Sequence, residues 1–266
     1  CDKIALFCEA GQIHYPSKVT PLFTLLENSV FEVALKGRKT AYPSFHPKFW
    51  LIEYVNAKLE KRYRLIVLSR NLTFDKSWDI SVSLDGYVTR EPSKKNEPIQ
   101  DFLEFLLNYL PKTESGRKRK SEISRLVKTL DYIEFRTEHK AFENVDFIPL
   151  GIKEYSIRNY PLFGKEKYYE LLVMSPFLSK TTVRELNERW RKSTAKPALF
   201  TRKQSLSGFT SKDCGNFDVY CLRDEVVNGE TDDETPYERD IHAKLYLLRD
   251  DFYGDAEVYL GSMNAS

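Results

Sequence analysis

Two short patterns recur in this chain, and each joins side chains that act on anions. The first reads His46-Pro47-Lys48-Phe49-Trp50-Leu51-Ile52-Glu53 and continues, past an apolar stretch, to Ser69-Arg70-Asn71. The second reads His242-Ala243-Lys244-Leu245-Tyr246-Leu247-Leu248 and continues to Gly261-Ser262-Met263-Asn264. In a strand, residues i and i+2 project to the same face. His46 and Lys48 are therefore expected side by side, as are His242 and Lys244, with Ser69 and Asn71 sharing a face at the end of the next strand. An imidazole can attack or carry a proton. An ammonium offsets negative charge, and hydroxyl and amide groups donate hydrogen bonds. Two such copies brought together would surround a phosphate-sized anion with two imidazoles and two ammonium groups.

The elements that must hold these groups follow from periodicity. Strands are expected over 4–8, 31–35 (ending at Gly37), 49–54, 64–68 and 78–88. Ile99, Phe102, Leu103, Leu106, Leu107 and Leu110 then repeat at helical spacing, with Pro98 in the first turn and Pro111 after the last apolar position. Lys112 to Lys120 is basic and polar, an exposed loop or the start of a helix that carries Ile123, Leu126, Val127 and Leu130. Strands are expected over 142–150, 168–174, 198–201, 217–222, 241–248 and 257–261, with a helix over 182–190. Strands, helices, strands, helix and strands in that order predict an α/β protein with mixed sheets. The least costly boundary lies in the basic helical stretch, giving halves 1–125 and 126–266.

Composition narrows the classes. The 266 residues are 41% hydrophobic and 30% charged, which fits a folded chain rather than a disordered one. Net charge is only +2, so any nucleic-acid surface must be local. Two basic runs qualify: Lys112, Arg117, Lys118, Arg119, Lys120, Arg125 and Lys128, then Arg184, Arg189, Arg191, Lys192, Lys196, Arg202 and Lys203. No apolar run reaches the roughly 18–20 residues of a membrane helix. Cys1, Cys8, Cys214 and Cys221 lack zinc-site spacing and read as buried thiols in a reducing compartment, so the cytoplasm is the expected location. The start at Cys1 suggests a piece of a longer protein. Asp224, Glu225, Glu230, Asp232, Asp233, Glu234, Glu238 and Asp240 form an acidic segment, read as a solvated loop or as a lid over a basic cleft. His14 and His139 stand alone and are expected at the surface or satisfied in the core. Of Phe45, Phe49, Trp50 and Trp78, most are expected in the core, with one or two free to stack on bases.

The paired patterns resemble the HKD motifs of the phospholipase D superfamily, which run His-x-Lys, four residues, Asp, then Gly-Ser-x-Asn. The resemblance is closest to its nuclease and tyrosyl-DNA phosphodiesterase-like branch. It departs from the family at the carboxylate, which is Glu53 in the first copy and Arg249, followed by Asp250, in the second. It implies two similar α-β-α halves related by a pseudo-twofold. It also implies a metal-independent phosphodiesterase with no cofactor, working through a phosphohistidine, with His46 as nucleophile and His242 as acid. Lys48, Lys244, Asn71 and Asn264 would bind the phosphate, Ser69 and Ser262 would add donors, and Asp79 would hydrogen-bond an active-site histidine. DNA is the expected partner ahead of RNA, alongside a helicase-like or restriction-system domain, and no oligomer is needed to build the site. A lipid hydrolase or transferase and a non-catalytic nucleic-acid-binding module are the alternatives.

Overall fold

The computed structural model describes residues 3–13, 21, 26–36, 43–71, 76–156, 167–193, 195–228, 239–249 and 254–265. His14, Gly37, the acidic residues 230–238 and Asp250 lie outside the described residues. The fold is mixed α/β, with helices and sheets of both parallel and antiparallel pairing. Two compact units divide the chain: Cys1–His46, Glu53–Tyr63 and Asp85–Pro161 in one, and Pro47–Ile52, Arg64–Leu84 and Leu162–Ser266 in the other.

In the first unit, strands β1 (Leu6–Glu9) and β2 (Val30–Val33) pair in parallel. Strands β3 (Phe49–Val55), β4 (Lys61–Leu68), β5 (Ser81–Val88) and β6 (Ile133–Arg136) form a sheet in that order, and the unit boundary cuts through β3, β4 and β5. Helix α1 (Glu97–Leu107) has proline in its first turn, as expected, and buries Ile99, Phe102, Leu103 and Leu106. Helix α2 (Glu114–Thr129) takes in most of the basic stretch, because Thr113 caps it by accepting the Gly116 N–H at 3.2 Å. Gln100 Nε2 ties α1 to α2 by donating to the Val127 carbonyl at 2.8 Å.

The carboxylate of the first motif copy belongs to this unit and is structural. Glu53 receives Arg125 in a bidentate pair at 3.0 and 2.9 Å and the buried Tyr63 hydroxyl at 2.8 Å. The Arg125 guanidinium holds the Glu53 carboxyl below the usual carboxylate range. Burial and that carboxylate push the Tyr63 phenol up to about 12.

The second unit is built on a five-stranded sheet in the order β11-β10-β7-β8-β9, with β7 Glu170–Met174, β8 Ala198–Phe200, β9 Asp218–Tyr220, β10 Leu245–Arg249 and β11 Glu257–Leu260. Strands β7, β8 and β9 run parallel, while β10 is antiparallel to both β7 and β11. Helix α3 (Lys180–Glu188), capped by Ser179 Oγ at 3.1 Å from the Thr182 N–H, lays Val183 and Leu186 on the sheet. They pack with Tyr168, Leu171, Val173, Leu199, Tyr246 and Leu248. Burying each large side chain of this kind contributes about 1.5–3 kcal/mol. Arg249 pairs with Glu170 at 2.5 Å across the β10–β7 register.

Three expectations need correction. The stretch 142–150 is not a strand, because Asn144 and Asp146 favour turn geometry and Pro149 cannot donate to a ladder. Strand β6 and the short helices α4 (Ser211–Cys214) and α5 (Asp224–Asn228) were not anticipated, since segments of three to five residues carry too little periodicity. Cys8 and Cys214 are only half-buried and Cys221 is exposed, so the thiols described are not core residues. Among the described residues no helix is long and apolar enough to cross a membrane.

Candidate functional site

The second unit gathers residues from both motif copies. Its framework is backbone pairing. The Leu68 N–H donates to the Lys48 carbonyl at 2.8 Å, and the Ser69 N–H donates to the Ile80 carbonyl at 3.0 Å. The Trp78 N–H reaches the Asp240 carbonyl, while the His242 and Ala243 N–H groups both reach the Trp78 carbonyl, each at 2.9 Å. The expected strand 241–248 therefore begins only at Leu245, because residues 241–243 turn away to pair with Trp78.

On this framework Lys244 and Lys48 are buried, 1% and 7% exposed. The Lys244 ammonium donates to the Ser69 carbonyl at 3.1 Å and to the His242 carbonyl at 2.9 Å, and lies 3.2 Å from His242 Nδ1. Two of its protons thus have backbone carbonyl acceptors inside the protein. Asp79 Oδ1 lies 3.5 Å from the same Nδ1. Asp79 also accepts the Ser69 hydroxyl at 3.1 Å and is ion-paired with Arg70. Ser69 Oγ in turn accepts the Ile80 N–H at 3.1 Å. Its proton is committed to Asp79, so Ser69 orients that carboxylate rather than donating outward.

The electrostatics follow from burial among cations. Burial first, then Lys244, lower His242 to about 4, with Asp79 opposing and Arg202 and Arg70 adding to the shift. Burial lowers Lys244 to about 8, opposed by Asp79 and reinforced by Arg202 and Arg70. Burial and the neighbouring Lys244 charge lower Lys48 to about 8, again opposed by Asp79. An ammonium 3.2 Å from Nδ1 independently favours a neutral imidazole, because it repels a second positive charge on the ring.

Five expected residues therefore meet here: Lys48, Ser69, Asp79, His242 and Lys244. Among the described residues, no hydrogen bond or ion pair ties Asn71, Ser262 or Asn264 into this cluster. Asn71 is exposed, and Ser262 and Asn264 are half-buried. Asn264 Oδ1 is nonetheless buried without a hydrogen-bond partner. Its neighbour Ala265 is fixed by donating to Ser175 Oγ at 2.9 Å. His46 is exposed and belongs to the first unit, one residue before the Pro47 segment of the second. His139 is exposed, and its Nδ1 accepts the Ala141 N–H at 3.3 Å.

Two arginines were missed as site residues. Arg70 sits unremarked inside the Ser-x-Asn pattern. Arg202 was read only as part of a basic run, yet its Nε donates to the Ile241 carbonyl at 2.6 Å, one residue before His242. Other members of the runs are engaged locally: Arg119 with Glu122 at 2.8 Å, Arg125 with Glu53, Lys196 with Asp218 at 3.6 Å and Lys203 with Asp224 at 2.8 Å. Phe45 is core, but Trp50 and Trp78 are exposed. Among the described residues no three His, Cys, Asp or Glu side chains converge as a metal-ligand group. Comparison with protein-family models, with curated proteins and with solved structures returns no match.

Proposed function

We propose that the chain is a metal-independent phosphodiesterase of phospholipase D-like, pseudo-twofold architecture, acting on nucleic acid through a covalent phosphohistidine. The observation that carries this reading is a pair, the half-buried His242 and the buried Lys244. Here a neutral imidazole stands among two ammonium and two guanidinium groups with one carboxylate at its Nδ1. Such a constellation offers a nucleophile together with fixed positive charge for an anionic transition state.

His242 Nδ1 lies between a donor, Lys244, and an acceptor, Asp79. With Nδ1–H directed at Asp79, Nε2 presents its lone pair. Nε2 then attacks phosphorus, a P–N bond forms, and the bond to the leaving oxygen breaks. His46 gives that oxygen a proton. In the second step His46 takes a proton from water, the water oxygen attacks phosphorus, and the P–N bond breaks to release His242 and a phosphomonoester. These roles are the reverse of those expected from the resemblance, because an imidazole held at about 4 is neutral near pH 7 and is a poor acid there. Lys48, Lys244, Arg70 and Arg202 supply the positive field that a metal ion provides in other phosphodiesterases, and Asn71 and Asn264 are the proposed amide donors.

The chain is expected to cleave labelled DNA in the presence of EDTA while leaving a short-chain phosphatidylcholine intact. Cleavage that EDTA abolishes contradicts the mechanism. Turnover of the lipid without cleavage of DNA contradicts the substrate class.

A further inference from the structure

One end of the five-stranded sheet carries exposed aromatic rings beside backbone groups that are held by hydrogen bonds. The registers Leu260↔Leu245, Leu245↔Met174, Met174↔Phe200 and Phe200↔Tyr220 align one end of all five strands. Ligands of open α/β sheets lie outside such carboxyl ends of parallel strands. Here the residues just beyond that line are His242 to Lys244, then Ser175 to Phe177, then Thr201 and Arg202. The Ser175 N–H donates to the Phe200 carbonyl and the Thr201 N–H to the Tyr220 carbonyl, both at 3.0 Å. Thr201 Oγ1 reaches the Ser175 carbonyl at 2.8 Å, and Ser175 Oγ reaches the Phe177 carbonyl at 2.8 Å. Both hydroxyl residues are fully buried.

From this rigid edge Phe177 and Tyr220 each stand 47% exposed, and Trp78, whose backbone pairs with His242, stands 60% exposed. Tyr220 stacks on Phe200 with ring centroids 4.9 Å apart. The Arg202 guanidinium lies 5.5 Å over the Phe177 ring. Its Nε is held by Ile241, which leaves its terminal amino groups without a protein partner among the described residues. Strands lie about 4.8 Å apart, so β10 to β9 spans about 15 Å, room for a few nucleotides.

We infer that this edge is a binding track for single-stranded nucleic acid, with bases stacked on Trp78, Phe177 and Tyr220 and a backbone phosphate on Arg202. The inference rests on the proposed function and names its substrate form. Flat rings accept any base, and the Arg202 guanidinium supplies the charge match. A duplex, whose bases are already stacked, gains little from such rings.

The test is anisotropy titration with a fluorescent oligothymidylate and with an abasic oligomer of equal length and charge. The expected result is binding about tenfold tighter for the thymidylate, a gap that Phe177→Ala and Trp78→Ala each narrow, alongside quenching of Trp78 fluorescence. Equal binding of the two oligomers, or a gap untouched by both substitutions, overturns the track. Binding to anionic phospholipid vesicles with none to either oligomer also overturns it. Titration of the His242→Ala protein reads binding without turnover, so base-dependent binding there beside a wild-type chain that cleaves nothing would sink the phosphodiesterase reading and leave the track standing.

Discussion

Replacing His242 by alanine is expected to lower phosphodiester turnover by at least about a thousandfold, with KM changed far less. The split follows from the proposed mechanism, in which His242 makes the bond to phosphorus while Lys48, Lys244 and Arg202 remain to hold the anion. The wild-type pH profile carries the same signature. His242 must be neutral to attack, and burial with Lys244 beside it lowers its ionisation to about 4. The acid limb of kcat/KM for the free enzyme therefore falls near pH 4, well below the ordinary histidine value of about 6.5. The stability consequence has a definite sign. Between about pH 6.5 and 4 the unfolded chain binds a proton at this site and the folded chain does not. Folding stability is thus lost as pH falls through that window. A kcat/KM profile with an acid limb at ordinary histidine pH would place the essential imidazole elsewhere.

The second large effect is expected at Lys244. Lys244→Met keeps most of the volume but removes the charge and the hydrogen bonds to the Ser69 and His242 carbonyls. Turnover is expected to fall about 10²–10³-fold, the loss typical of removing one preorganised donor at a developing charge. Two ionisations move with it. His242 rises toward its ordinary value, since Lys244 is the largest charge lowering it. Lys48 also rises, since Lys244 is the charge that lowers it. In the wild type both lysines sit near 8, so the positive field fades and activity falls as pH climbs through about 8. In the variant that alkaline limb moves upward. Imidazole NMR titration of His242 beside the pH–rate profile reads both shifts. An unmoved His242 titration would mean that burial alone depresses it.

The pairing of His242 with Lys244 was legible because i, i+2 spacing fixes a shared face whether or not a formal strand forms, and the two side chains do touch. Asp79 was a candidate only through the resemblance; its Oδ1 lies 3.5 Å from His242 Nδ1. What failed to show in the sequence is non-local. Arg202 reaches Ile241 only because the residue following β8 sits beyond β7 and next to the start of β10, an adjacency set by strand order. Ser69 was read as an outward donor, but its hydroxyl proton is taken by a carboxylate ten residues later in the chain. Glu53 and Arg249 departed from the motif in sequence, and their partners Arg125 and Glu170 explain the tolerance. Each position carries an ion pair between elements. The aromatic edge was missed because Phe177 follows β7 and Tyr220 ends β9, positions that only the strand register sets at the same end of the sheet.

A covalent bond between phosphorus and His242 is the step on which the proposed mechanism turns, and one single-turnover experiment addresses it. The substrate is the p-nitrophenyl ester of thymidine 5′-phosphate, whose leaving group departs without a proton donor. The reaction is quenched in alkali, where a phosphohistidine survives. His46→Ala is expected to release nitrophenolate in a burst and to hold the nucleotide on the peptide containing His242, while His242→Ala shows neither burst nor adduct. An adduct on His46 in the His242→Ala protein, or turnover with no adduct in either variant, would contradict the account.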